Sequence, residues 1–264
     1  EQRHDDRRGK AGTWIPMKAY FLSDLHLGAP YFTDSKEAEK RVVSFLDEIK
    51  DDAEVIYLLG DILDYWYEYR YVVPRGFVRF FGKLAELADK GIRIVWFIGN
   101  HDIWIFDYLP SELGIEVVDG SLVEEIDGKI FFMTHGDGIG RLKPSFRFLR
   151  GLFRNKACQK AFSAIHPRWT VPFAYSWSRH SRKIEGPSEE DAARMMDNIT
   201  SFAKDYRKND SRVNYFVFGH LHLLKELNIS PDCEVVVLGE WISMFSYGVW
   251  DGIRFELRRY CHGC

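Results

Sequence analysis

Long apolar runs are missing from this chain. No stretch of eighteen hydrophobic residues occurs, and even Val235 to Trp250 is interrupted by Glu240. A membrane-spanning helix needs about 20 such residues, so none is expected. Cysteine is scarce, with Cys158, Cys233, Cys261 and Cys264 only. Cys261-His262-Gly263-Cys264 has the spacing of a metal or redox pair, but with no second pair it cannot complete a zinc ribbon, and reduced thiols are the expectation. Internal repeats and low-complexity tracts are absent, which excludes solenoid and fibrous architectures. Acidic residues vanish from one segment. Between Arg141 and Lys183 there are eleven Lys or Arg and no Asp or Glu, so the rest of a chain of net charge −3 sums to −14.

The chain has 264 residues and 46% hydrophobic content, enough to bury a sizeable core as one α/β domain. Residues 1–16 are polar and charged and precede Met17, and they read as a flexible N-terminal extension, leaving 17–264 as the domain. Strand-length apolar runs occur at Lys18–Leu22, Val55–Leu59, Ile92–Ile98, Lys129–Met133 and Val213–Phe218. Helical periodicity covers Ser35–Lys50, Pro74–Lys90 and Ser188–Tyr206, the last opening on Ser188-Glu189-Glu190-Asp191 as a capping signal. After His222, further short runs at Cys233–Leu238, Met244–Trp250 and Ile253–Leu257 suit a second sheet packed on the first.

Each of the first five runs ends in a polar cluster: Asp24-Leu25-His26, Gly60-Asp61, Gly99-Asn100-His101-Asp102, His135-Gly136-Asp137 and Gly219-His220-Leu221-His222. Loops beyond the carboxyl ends of strands are where α/β proteins bind ligands, so residues far apart in sequence can meet there. The clusters supply seven potential ligands, Asp24, His26, Asp61, Asn100, His135, His220 and His222. Two divalent ions held side by side need this mixture of hard oxygens, imidazoles and one shared carboxylate, and together they activate a water and clamp phosphoryl oxygens. His4, His166 and His180 stand alone and read as ordinary polar residues. Asp102 and Asp137 read as residues that orient ligands.

In its order and spacing the pattern Asp-x-His, Gly-Asp, Gly-Asn-His-Asp, His and Gly-His-x-His resembles the calcineurin-like metallophosphoesterases from Asp24 to His222. That resemblance implies an α/β fold, a sandwich of two β-sheets flanked by helices. It also implies that Asp24, His26 and His222 hold one metal, that Asn100, His135 and His220 hold the other, and that Asp61 bridges them. His101 and Asn100 then become the catalytic side chains, His101 beside the scissile phosphate. Mn(II) is the first choice for both ions, with Fe, Zn, Co or Ni also compatible with oxygen and imidazole ligands.

The basic segment also carries Phe146, Phe148, Phe153, Phe162, Trp169, Phe173, Tyr175 and Trp177. Phe146, Leu149, Leu152 and Phe153 recur at helical spacing with cations between them. Such a segment can cover the site and grip a phosphorylated lipid, lie on an anionic membrane, or track nucleic acid; alternatively its aromatics form a small subsidiary core. A basic aromatic lid at about 139–187, together with Gly-Asp-Ile-Leu-Asp-Tyr-Trp at 60–66, is similar to the UDP-2,3-diacylglucosamine hydrolases of lipid A biosynthesis. The best-known branch of that group has arginine where this chain has His101. The resemblance implies a nucleotide-sugar lipid substrate, peripheral contact with the cytoplasmic face of the inner membrane, and neither nucleic acid nor an obligate protein partner. Arg179, Ser181, Arg182 and Lys183 are the candidate contacts to its sugar phosphate, and Tyr65-Trp66-Tyr67 are candidate lining. The same metal motifs serve cyclic-nucleotide phosphodiesterases and nucleases, and a membrane or protein-binding module is the alternative without catalysis. A Ser/Thr phosphatase would carry Arg-Gly where Tyr65-Trp66 stand.

Overall fold

The computed structural model describes residues 17–140, 144–181 and 188–261. The first part of the chain alternates strand and helix: β1 (Lys18–Leu22), α1 (Ser35–Ile49), β2 (Ala53–Leu58), α2 (Val78–Asp89), β3 (Arg93–Phe97), α3 (Tyr108–Leu113) and β4 (Glu116–Val118). An antiparallel pair, β5 (Ser121–Ile126) and β6 (Lys129–Thr134), follows. Four helices come next, α4 (Pro144–Arg154), α5 (Lys156–Ser163), α6 (Pro167–Ser181) and α7 (Glu189–Arg207). The chain closes with β7 (Val213–Phe218), β8 (Leu224–Ser230), β9 (Cys233–Leu238), β10 (Ser246–Trp250) and β11 (Phe255–Arg259). The strands form two sheets, ordered β11-β10-β1-β2-β3-β4 and β5-β6-β7-β9-β8.

Side chains alternate across each strand, and that alternation builds the layers. Tyr20 and Leu22 of β1 pack with Val42, Phe45 and Leu46 of α1 and with Phe80 and Leu84 of α2. Phe21, one residue out of phase, packs between the sheets against Tyr57 and Phe131. Beyond the second sheet, Phe216, Phe218 and Val235 meet Ile199 and Ala203 of α7. The result is a helix, sheet, sheet, helix sandwich.

Three expectations are corrected. The runs after His222 do not all join a second sheet: β9 does, but β10 pairs antiparallel with β1 and extends the first sheet, with β11 at its edge. The five clusters are drawn from both sheets, since β1, β2 and β3 belong to the first and β6 and β7 to the second. Apolar patterning reports burial and not which neighbour a strand chooses. The helix expected from Pro74 begins only at Val78, since Gly76 and Phe77 are left-handed and its first amides are capped from α1, where Glu39 accepts from Arg79 N and Phe80 N at 2.8 and 3.1 Å. Cys158 and Cys233 are free thiols as expected, but Cys261, past the last strand, is disulfide-bonded. Residues 1–16, Arg182 and Lys183 lie outside the described residues, as do the side chains of Phe146, Trp177, Arg179 and Ser181.

Candidate metal centre

The loops after β1, β2, β3, β6 and β7 meet at the seam between the sheets. Their backbones are joined: Asp24 N donates to Gly60 O, His26 N to Asp61 O and Gly219 N to His135 O, all within 3.1 Å. A side chain at Gly99 would put its Cβ 2.2 Å from Asp61 Oδ1, and one at Gly219 would lie 1.9 Å from Ser23 Oγ. Only glycine permits so close an approach. Asp24, His26, Asp61, His220 and His222 all have positive φ, between 45° and 66°. Each left-handed non-glycine residue costs on the order of 1 kcal/mol, and such strain concentrates where side-chain direction serves function.

Three sets of ligand atoms lie within 4.8 Å of one another: Asp24, His26 and His222; Asp61, His135 and His220; and His26, Asp61 and His101. Asp24 Oδ2 is occupied by the Ser23 hydroxyl at 2.6 Å and by His220 N at 2.8 Å. Its Oδ1 is buried without a hydrogen-bond partner and faces Nε2 of His222 at 3.2 Å and of His26 at 3.5 Å. Asp61 divides likewise. Its Oδ1 accepts from His101 N at 2.8 Å, while Oδ2 lies 3.4 Å from His135 Nε2 and 3.8 Å from His26 Nε2, between the two sets. His135 Nδ1 donates to Leu59 O at 2.7 Å, and its Nε2 lies 3.2 Å from Asn100 Oδ1. The carboxylate, amide and imidazole atoms gathered here fit two divalent ions.

The same carboxylates and imidazoles set one another's protonation. Burial alone would raise Asp24 and Asp61, but the surrounding imidazoles outweigh it and hold both well below the usual carboxylate range. Burial opposes charge on His135, yet Asp61 and Asp24 lift it to about 10. Burial, then the neighbouring His135, push His220 down to about 4.

A functional residue the sequence reading passed over is Asp64. Its backbone carbonyl accepts from His101 Nδ1 at 3.1 Å, and its Oδ1 lies 3.4 Å from that nitrogen and 3.5 Å from His26 Nδ1. The second aspartate of Gly60-Asp61-x-x-Asp64 was the available signal. Asp102 accepts from Gly99 N, Ile62 N and Trp96 Nε1, which ties together the loops that carry Asn100 and Asp61, and burial, then Asp61, raise it to about 6. Asp137 pairs with Arg150 at 2.7 Å.

Helices α4 to α6 cover this side of the sheets. Tyr175 of α6 stacks edge-on to Tyr65, and its hydroxyl would lie 3.6 Å from a Cβ at Gly28, beside the His26 loop. Tyr65, Trp66 and Tyr67 are buried, so they support the cover from below: Tyr67 Oη donates to Gln159 O at 2.6 Å and Trp104 Nε1 to Phe153 O at 3.0 Å. Phe153, Phe162 and Tyr175 pack on the core, whereas Phe148, Trp169 and Phe173 are 73%, 69% and 61% exposed. Some of the segment's aromatics thus pack on the core, as the subsidiary-core alternative expects, and others are exposed. Between α4, α5 and Trp104 lies an apolar cavity of about 300 Å³ lined by Leu152, Phe153, Phe162 and Ile165. Among the described residues no helix is long and apolar enough to cross a membrane.

Residues 17–224 match the family model described as calcineurin-like phosphoesterase. The chain belongs to the calcineurin-like phosphoesterase family. It is thus a metal-dependent phosphoester hydrolase. This phosphoesterase is 42% identical over 253 residues to a UDP-2,3-diacylglucosamine hydrolase of Porphyromonas gingivalis, covering 91% of this chain and 96% of the relative. A UDP-2,3-diacylglucosamine hydrolase of Nitrosococcus oceani is 24% identical, with 85% and 88% covered. Among solved structures, the phosphoesterase Yfce of E. coli overlays with a TM-score of 0.41 at 17% identity, over 88% of this chain and 87% of that one.

Proposed function

We propose that this phosphoesterase hydrolyses the pyrophosphate of UDP-2,3-diacylglucosamine, giving UMP and a diacylglucosamine 1-phosphate, in lipid A biosynthesis. The observation that carries this reading is the apolar cavity of about 300 Å³ inside the helical cover. Burying each methylene of an acyl chain gains about 0.8 kcal/mol, whereas a water-soluble nucleotide or a nucleic acid strand has no use for such a lining. Helices α4 to α6 then act as a lid over about 139–187.

Asp24, His26 and His222 would hold one ion and Asn100, His135 and His220 the other, with Asp61 shared; Mn(II) is the first choice, with Fe, Zn, Co or Ni alternatives. When bound, such a pair supplies an activated water and neutralises charge on the phosphoryl oxygens. The protein's own groups position everything else. Ser23 and His220 N fix the Asp24 carboxylate, and Asp64 holds His101 by its Nδ1. His101, oriented in this way, is assigned the catalytic role beside Asn100, donating to a phosphoryl oxygen or protonating the leaving group. Arg179, Ser181, Arg182 and Lys183 are assigned to the sugar phosphate, a reading supported by Tyr175, one turn upstream of Arg179 on α6, approaching the His26 loop.

The exposed Phe148, Trp169 and Phe173, on a segment with eleven cations and no acid, support peripheral contact with the anionic cytoplasmic face of the inner membrane. Neither nucleic acid nor an obligate protein partner enters the reading. A turnover panel of UDP-2,3-diacylglucosamine, cyclic nucleotides and single-stranded DNA with Mn(II) tests it. Cleavage confined to the acylated substrate is expected; faster turnover of a cyclic nucleotide or DNA refutes the assignment.

A further inference from the structure

Helix α4 carries two arginines one turn apart that reach back to the sheets. Arg150 Nε donates to Asp137 Oδ2 at 2.7 Å, and Arg154 pairs with Asp119. The two acceptors flank a single strand end. Asp137 follows His135 by two residues, while Asp119 opens the turn whose next carbonyl, Gly120 O, accepts from Thr134 Oγ1 at 3.0 Å. Helix α4 thus grips residues 134–137 from both sides.

The gripped loop is itself packed on the neighbouring imidazole. A Cβ at Gly136 would lie 3.6 Å from Gly219 O and 3.7 Å from His220 Cβ, and Gly219 N donates to His135 O at 3.0 Å. The guanidinium of Arg150 lies close over the loop, since a Cβ at Gly138 would come within 3.0 Å of its Nη2. Asp137 is only 5% exposed. A buried carboxylate is tolerated only when a cation and hydrogen bonds compensate its lost hydration, and Arg150 supplies both. Contacts therefore run from a helix of the cover, through one carboxylate, to the loop bearing His135 and on to His220.

We infer that Arg150 is a positioning residue: through Asp137 it sets the His135 loop against His220, so that seating of the helical cover and the order of that half of the metal centre are coupled. The inference rests on the reading of His135 and His220 as metal ligands, and adds that a residue of the cover controls them. Its consequence is that a cover residue matters even for substrates too small to touch the cover.

The test uses the Mn(II)-loaded full chain challenged with a chelator, followed by kcat and KM on a chromogenic phosphodiester that has no acyl chain. Arg150→Gln and Asp137→Asn should each release one of the two ions about tenfold or more faster, as expected when the partner of a ligand loop is removed. Each should lower kcat on the small diester while leaving its KM nearly unchanged. The double variant should be no worse than either single one, because both break the same link. Arg150→Lys, which keeps the charge, should recover part of the ion retention. His135→Ala must lose the same ion; if it keeps both, the ligand assignment fails and the coupling with it. If His135→Ala loses an ion but Arg150→Gln keeps both like the parent protein, or if the two single effects add, Arg150 is a contact of the cover and no more.

Discussion

At the strand ends the chemical side chains are buried and held twice over, whereas the helices above them expose Phe148, Trp169 and Phe173 and meet the sheets through a few polar ties such as Tyr67 to Gln159 and Trp104 to Phe153. The floor of the site spends conformational strain on direction, with positive φ at Asp24, His26, Asp61, His220 and His222. The cover carries cations, aromatics and an apolar cavity instead. On the proposed reading, reaction geometry belongs to the floor and substrate recognition to the cover. Damage to the floor should therefore stop turnover on every substrate, while damage to the cover, apart from Arg150 and its tie to the His135 loop, should discriminate among substrates.

The largest effect is expected at the floor. Asp61→Ala should abolish hydrolysis and empty both metal positions, because its Oδ2 lies between the two ligand sets and, among the described residues, no other carboxylate does. His101→Ala should keep both ions and slow turnover by about 10²–10⁴-fold, the usual worth of a positioned acid or base. Metal analysis of the two purified variants distinguishes the roles, and a His101 variant stripped of metal makes that imidazole a ligand, as its proximity to His26 and Asp61 also permits.

Next comes the cover. Neutralising Arg179, Arg182 and Lys183 together should weaken the phosphorylated lipid by about 1.5–3 kcal/mol per phosphate-paired cation, with a small soluble diester little changed. Parallel losses on both substrates, measured as kcat/KM, would erase the distinction between floor and cover. Phe162→Ala, at the cavity wall, should raise KM for the acylated substrate by about tenfold, since removing a buried aromatic side chain forfeits its apolar contact with the chain. The smallest effect belongs to the outer surface. Trp169→Ser with Phe173→Ser should reduce co-sedimentation with phosphatidylglycerol vesicles several-fold and leave turnover of detergent-dispersed substrate intact. Unchanged sedimentation would remove those aromatics from the membrane contact.

Much of the floor was legible in the sequence because its signals are local. Strand-length runs ending in Asp-x-His, Gly-Asp or Gly-His-x-His announce both the element and the side chains at its tip, and β1, β7 and β9 span the predicted residues. What escaped was decided at a distance. Asp64 gains its role only when folding brings it to His26 and His101, and the start of α2 depends on Glu39 of another helix. The edge strands β4, β5 and β8 have half-exposed patterns too weak to announce themselves, and sheet membership of β10 is set by pairing with β1. The basic aromatic composition of the cover was plain in the sequence, but which aromatics turn inward was not, since Phe153 and Phe162 differ from Phe148 only in what lies opposite them.

The central claim, that a buried two-metal floor performs the hydrolysis while the cover selects an acylated substrate, is tested most directly by one comparison. With Mn(II) present, kcat/KM is measured for UDP-2,3-diacylglucosamine and for the same nucleotide sugar without its acyl chains. The account predicts a loss of at least about a thousandfold on deacylation, since several buried methylenes at about 0.8 kcal/mol each are forfeited. Equal kcat/KM for the two would contradict it.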